Sequence, residues 1–336
     1  MRNPRPLYRA VLNDALISTW RNKHLWPLAF FAGLLMTGSA YDLLYRAWNA
    51  ISNTMLRAEF GLWIPDVFPR AWEVIKKGPV NWQTLPWGLL LVGLLTLALY
   101  AFFVWLAVVS EGTVLAAIAA EEEKERPNLR GFWQRGIRSF WPLLGVNILL
   151  RLAVWFLTLL LAAVVIPATA LAAPLDSAVV ILAFVLIIPP AYAAIVAAFF
   201  AALGVVRFKE RLLPAVKKSW RLITVNWLVV LETSIILLLA DILIALTLTI
   251  LAMLLGATFF GFLALSGFAA ASPLYWFLIV SFSFIVIVGV LAAVAGAITF
   301  HYAVWTILAE RLRRGQQTIP KIIRLTQTLR AALSRR

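Results

Sequence analysis

The sequence predicts an all-α fold: a polytopic transmembrane helical bundle of about six spans, with amphipathic helices at the membrane interface. Three observations predict it. Long apolar stretches without charge recur along the chain, lysine and arginine gather in alternate connections, and tryptophans collect near the ends of the stretches. Of 336 residues, 63% are hydrophobic and 13% charged, whereas a soluble domain carries about 45–50% apolar and about 25% charged residues. Mean hydropathy is +0.91. That excess is too large for a buried core and has to face lipid. The continuous run of spans argues for one integral membrane domain, 1–336.

The charge-free stretches are 25–41, 87–110, 152–175, 177–206 and 242–309. A span needs about 20 apolar residues. The last stretch therefore holds the end of one helix, a turn and a second helix, and Gly256, Gly261, Gly267, Ser272 and Pro273 place the turn near 256–273. The expected spans are 25–43, 86–110, 143–173, 178–206, 225–255 and 274–309. The first run is expected to stay rather than be cleaved, because its basic leader is long for a signal peptide and Gly38-Ser39-Ala40 is a poor cleavage site.

Orientation follows from the basic residues. Segments 1–24, 111–141, 207–221 and 310–336 hold 24 of the 30 lysines and arginines. Basic connections stay inside, so both termini are expected in the cytoplasm of a bacterium, with the chain in its inner membrane. The net charge of +15 fits anionic lipid headgroups as partners. Nucleic acid is not expected, because no soluble basic domain exists to bind it. The absence of cysteine excludes disulfides, thiolate metal sites and cysteine nucleophiles.

Two stretches resemble each other. Trp141-Pro-Leu-Leu-Gly-Val-Asn-Ile-Leu149 and Trp220-Arg-Leu-Ile-Thr-Val-Asn-Trp-Leu228 share five of nine residues, and each follows a basic amphipathic segment. A fainter copy opens the chain at Val11, Leu12, Leu16 and Trp20. The pattern suggests a threefold helical-hairpin repeat with units near 7–125, 128–206 and 212–310, closed by an amphipathic helix at 318–333. Such helices either lie in the headgroup layer, apolar face down, or pack beneath the bundle as connectors.

The run Ala215-Val-Lys-Lys-Ser-Trp-Arg-Leu-Ile-Thr-Val-Asn226, and with it 131–147, resembles a recurring pattern in a loose group of bacterial six-helix membrane proteins. That group includes the membrane domain attached to some glycerophosphodiester phosphodiesterases. The resemblance implies a fold and no activity: the hydrolase barrel of those enzymes has no counterpart here, so none of its catalytic residues carries over.

Ionisable groups within spans suggest function by default. The candidate polar cluster is Glu111, Asn147, Arg151, Asn226, Glu232 and His301. Counted from Trp141 and Trp220, Arg151 and Glu232 reach similar depth. They are expected either to pair between repeats, with the asparagines bonding across helices, or to line a polar vestibule open to the cytoplasm. Asp241 is a candidate buried acid with no basic residue near it in sequence, placed past the membrane midplane by counting from Asn226. Pro189 and Pro190 remove two backbone donors and mark an expected helix break. The glutamates 121–123 read as the solvated end of the second span. Segment 44–86, with Trp63, Trp72, Lys76, Lys77 and Trp82, is expected to rest on the outer interface.

No phosphate-binding loop, zinc motif or nucleophile elbow is present, so neither a cofactor nor catalysis is expected. The leading expectation is a non-enzymatic membrane protein that interacts with lipids or organises the membrane and its assemblies. The alternative is a transporter of a small molecule or lipid.

Overall fold

The computed structural model describes residues 7–33, 87–123, 125, 128–168, 175–265 and 272–314. Among these the chain is helical throughout, without strands: α1 (Leu7–Arg21), a short 3-10 turn at Lys23–Leu25, α2 (Trp26–Gly33), α3 (Trp87–Glu122), α4 (Leu129–Arg138), α5 (Phe140–Ala168), α6 (Leu175–Phe208), α7 (Leu212–Val225), α8 (Trp227–Leu265) and α9 (Pro273–Arg313). Five of them, α3, α5, α6, α8 and α9, are long and apolar enough to cross a membrane. These are the properties of a multi-pass membrane protein. Segment 44–86, the segment 318–333 and most of the first expected span lie outside the described residues.

Helix starts follow from capping. The Asn128 side chain accepts a hydrogen bond from the Gly131 amide at the head of α4. The Ser272 hydroxyl accepts one from the Tyr275 amide at the head of α9, where Pro273 occupies the first turn. Each cap satisfies an amide that has no partner within its own helix.

Two expectations about helix ends need correction. The helix expected to end near 255 runs on to Leu265, so Gly256 and Gly261 lie inside α8. Glycine's helical penalty of about 1 kcal/mol is small beside the need to satisfy every backbone group in hydrocarbon. Pro189 and Pro190 likewise do not end α6, which is one helix from Leu175 to Phe208. Both prolines are on its exposed side, where their rings displace no packed neighbour.

The two similar stretches differ in register in three dimensions. The nonapeptide 141–149 lies wholly inside α5, whereas 220–228 runs from α7 through Asn226 into α8. What recurs is a basic amphipathic helix, a single non-helical residue and a long apolar helix. Ser139 (φ −92°, ψ 4°) is the first such residue and Asn226 (φ −116°, ψ 29°) the second. The hydrogen-bond ladder passes through both: the Ser139 amide donates to the Arg135 carbonyl at 3.1 Å, and the Asn226 amide donates to the Leu222 carbonyl at 3.2 Å. From these joints Arg151 is twelve residues into its helix and Glu232 six.

The chain divides into two compact units, 1–35 with 108–149 and 196–336, and 36–107 with 150–195. The second unit has a small apolar centre of Leu161 and Ala183, packed by Val165, Phe184 and Ile187. The first unit holds the larger core. It is built from the small and branched residues of α3 between 108 and 120, those of α6 between 200 and 206, and those of α9 between 302 and 309. Phe199 meets Tyr302 and Phe200 meets Trp305 edge to face, at ring separations of 5.1 and 6.0 Å. Alanine and glycine on these faces let helices approach closely, which is how helices pack when lipid supplies no hydrophobic drive. Beyond this core, α8 from 238 and α9 up to 294 are largely exposed and apolar. At 1.5 Å per residue these two helices are about 60 Å long, twice the roughly 30 Å hydrocarbon thickness.

Candidate functional site

Charged side chains meet where the first unit's long helices end at 122, 208 and 313, and α1, α4 and α7 come to the same end. Two of the three glutamates at 121–123, Glu121 and Glu123, are engaged there by other elements. Glu121 accepts hydrogen bonds from the Ser18 hydroxyl (2.5 Å), the Arg21 guanidinium (3.1 Å) and the Asn22 amide (2.7 Å), all from α1 and its tail. Glu123 pairs with Arg207. Three donors to one carboxylate compensate the loss of water that half-burial imposes.

Arg207, at the end of α6, is the centre of this arrangement. Besides Glu123 it faces Glu125 at 3.9 Å and Glu310 at 3.8 Å. Glu310 is only 3% exposed and also receives Arg314 at 3.0 Å. Next to it Arg313 approaches Glu210 (3.5 Å) and donates to the Phe200 carbonyl (3.3 Å), with the Phe208 ring 4.6 Å from its guanidinium. Lys218 on α7 takes the other approach to Glu210 at 2.9 Å. Gly204 makes room for this, since a methyl group there would lie 3.0 Å from the Arg313 guanidinium and 3.1 Å from Glu210 Oε2. Arg311 pairs with Asp14 of α1 at 2.5 Å.

The turn from α6 to α7 carries a second feature. Lys209 has φ +52°, the left-handed conformation that glycine usually takes at a helix end. A lysine there costs on the order of 1 kcal/mol or more. The Glu210 amide, bonded to the Gly204 carbonyl at 3.2 Å, closes the turn around it. Lys209 lines an open cleft of about 680 Å³ together with Arg135, Arg138, Ser139, Arg207, Glu125 and Glu210 above an apolar floor of Ala116, Pro142, Val205 and Val206.

Of the residues expected to form one polar cluster, two on α3 and α5 meet directly. The Asn147 amide donates to Glu111 Oε2 at 2.7 Å, with Glu111 6% and Asn147 7% exposed. Asn226 donates to the Leu222 carbonyl of its own chain and serves as a helix joint. Glu232 is half-buried on α8, and Arg151 is exposed in the second unit. His301 is with Asp241, Nε2 to Oδ1 at 2.7 Å, so the carboxyl without a partner in local sequence finds one sixty residues away.

Sequence reading missed Arg207, Glu210, Glu310 and Arg313. A signal for them existed: acids interrupt each basic segment beside a span end, in 207–211 and 309–314, where lipid attraction alone calls only for bases. Among the described residues no three histidines, aspartates or glutamates are grouped as a metal would require.

The Glu111 contact yields a direct expectation. Asn147→Leu leaves a buried carboxylate without its donor and should cost about 1–3 kcal/mol, read as a lower Tm of the purified protein. Asn147→Gln, which keeps the amide, should lose less. Comparison of the chain with protein-family models, with curated proteins and with solved structures finds no match to any of them.

Proposed function

We propose that this is a non-enzymatic protein of the bacterial inner membrane, with its charged end and both termini in the cytoplasm, that engages anionic lipid through its amphipathic helices. The observation that carries this reading is the outward face of α7. Leu213 (73% exposed), Val225 and Trp220 point away from the protein beside exposed Lys217 and Arg221. Leu16, Ile17 and Trp20 do the same on α1, with Lys23 lying 4.6 Å over the Trp20 ring. Apolar and aromatic groups edged by bases suit the headgroup layer and are costly in water. The resemblance to bacterial six-helix membrane proteins agrees with this reading, as does the one-sided distribution of lysine and arginine.

The alternative, transport of a small molecule or lipid, draws on the open cleft. Against it counts the close packing of α3, α6 and α9 beside the cleft, where Val108, Val109, Leu203, Ile307 and Leu308 are almost wholly buried.

The absence of native cysteine makes the test direct. A spin label on Leu213→Cys in reconstituted bilayers should be relaxed by oxygen, which enters lipid, and shielded from a water-soluble nickel chelate, more so when the bilayer contains phosphatidylglycerol. A label accessible to the chelate in every bilayer overturns the interfacial reading. Ser266→Cys should react with an impermeant thiol reagent added outside intact cells; reaction only after lysis would invert the orientation.

A further inference from the structure

Resting on that reading, we propose that the cleft between α4 and the turn joining α6 to α7 is a phosphate site that holds an anionic lipid headgroup, with Arg138 and Lys209 as its binding cations. The cleft's volume, about 680 Å³, is in the range of small-molecule sites. Its charge is unbalanced. Among the described residues four bases and two acids line it, and each acid already pairs with bases. Glu125 pairs with Arg135 at 3.1 Å and with Arg207. Glu210 pairs through Oε1 with Lys218 and Arg313, its Oε2 being buried without a hydrogen-bond partner among them. Among the described residues Arg138 and Lys209 enter no ion pair, so the described lining presents two positive charges beyond those its acids already meet.

The surroundings suit a phosphodiester better than a free inorganic ion. Ala116, Pro142, Val205 and Val206 give the cleft an apolar floor, where the glycerol part of a lipid loses no hydrogen bonds and the charges above act in reduced dielectric. Ser139 adds a hydroxyl donor at the rim. Trp141, 77% exposed, and Ile137 stand just beside the lining residues Arg138, Ser139 and Pro142, as acyl chains leaving the cleft toward the bilayer would require. The carboxyl end of α4 and the amino end of α5 meet at Ser139, so their opposite dipole ends largely offset and the side-chain charges decide the sign. Lys209 holds a strained backbone conformation at this one place, and strain of that kind collects at binding sites. Basic pockets between helices on the cytoplasmic side bind anionic headgroups by this chemistry.

The test uses the full chain in nanodiscs and native mass spectrometry of the lipid it retains. Wild type should retain phosphatidylglycerol at least tenfold over phosphatidylcholine. Arg138→Gln with Lys209→Gly should lose that preference, while Arg130→Gln with Arg211→Gln, exposed bases that do not line the cleft, should keep it. Lys209→Gly alone suits the left-handed turn, so it should hold or raise Tm while retention falls several-fold; this separates binding from folding. Inorganic phosphate is titrated in parallel by thermal shift. A shift with phosphate that the double variant lacks, with no lipid preference, would keep the site and assign it a soluble phosphate. Retention unchanged in the double variant overturns the proposal. If the Leu213 label meanwhile stays in lipid, only the cleft fails; a label in water with the cleft still selective would sink the helix reading instead.

Discussion

Gly136→Ala destabilises the protein by about 1–3 kcal/mol, the cost of overpacking a tight contact, although alanine normally stabilises a helix by about 0.5–1 kcal/mol over glycine. The sign reverses because α4 lies directly on α3. A methyl group at Gly136 would stand 2.5 Å from the Val109 carbonyl oxygen and 2.6 Å from the Thr113 hydroxyl. That hydroxyl is itself bonded to the Val109 carbonyl at 2.7 Å, so the obstacle includes main chain and cannot swing aside. From the other side, a methyl group at Gly112 would meet the Gly136 Cα at 2.9 Å. Gly289→Ala is the control, for nothing stands within 4 Å of the added carbon, and its Tm should hold or rise. Thermal unfolding of both variants in the same detergent decides the matter. Equal behaviour would mean that α4 is not seated on α3.

Arg207→Met should be the most damaging charge substitution, at about 1–3 kcal/mol, because a buried carboxylate loses one of its cations. Glu310, with a side chain 4% exposed, would keep Arg314, and the half-exposed Glu123 would lose Arg207. Arg207→Lys should recover only part of the loss, since an ammonium cannot reach three carboxylates from one planar fork. Adding Glu310→Gln to Arg207→Met should restore part of the Tm by removing a buried charge left beside Arg314. Added salt should change these differences little, because buried pairs are weakly screened. A Met variant as stable as the native protein would show that Arg207 is not the tie between α6 and α9.

The contact of α4 on α3 also resolves an alternative that the amphipathic pattern leaves open. Phe132 and Gly136 face the protein, while Leu129 and Ile137 face away. The apolar residues of one short helix thus serve two surfaces, and periodicity alone cannot divide them. The second expected span shows a similar limit. Its continuation to Glu122 was legible in the glutamates at 121–123, but the donors that Glu111 and Glu121 find, Asn147 and the α1 side chains, were not.

The class of this protein and the position of its five long apolar helices follow from the order of residues alone. Transfer out of water is a sum over neighbouring side chains, and a window of about twenty residues contains everything that sum needs. Tertiary structure alone decided the partners: Arg311 bonds Asp14 across 297 positions, Asp241 finds His301, and Lys209 and Arg138 come to one cleft. A charge pair depends on approach within a few ångströms between helices distant in sequence, and that approach is set by which glycines and alanines let the backbones close.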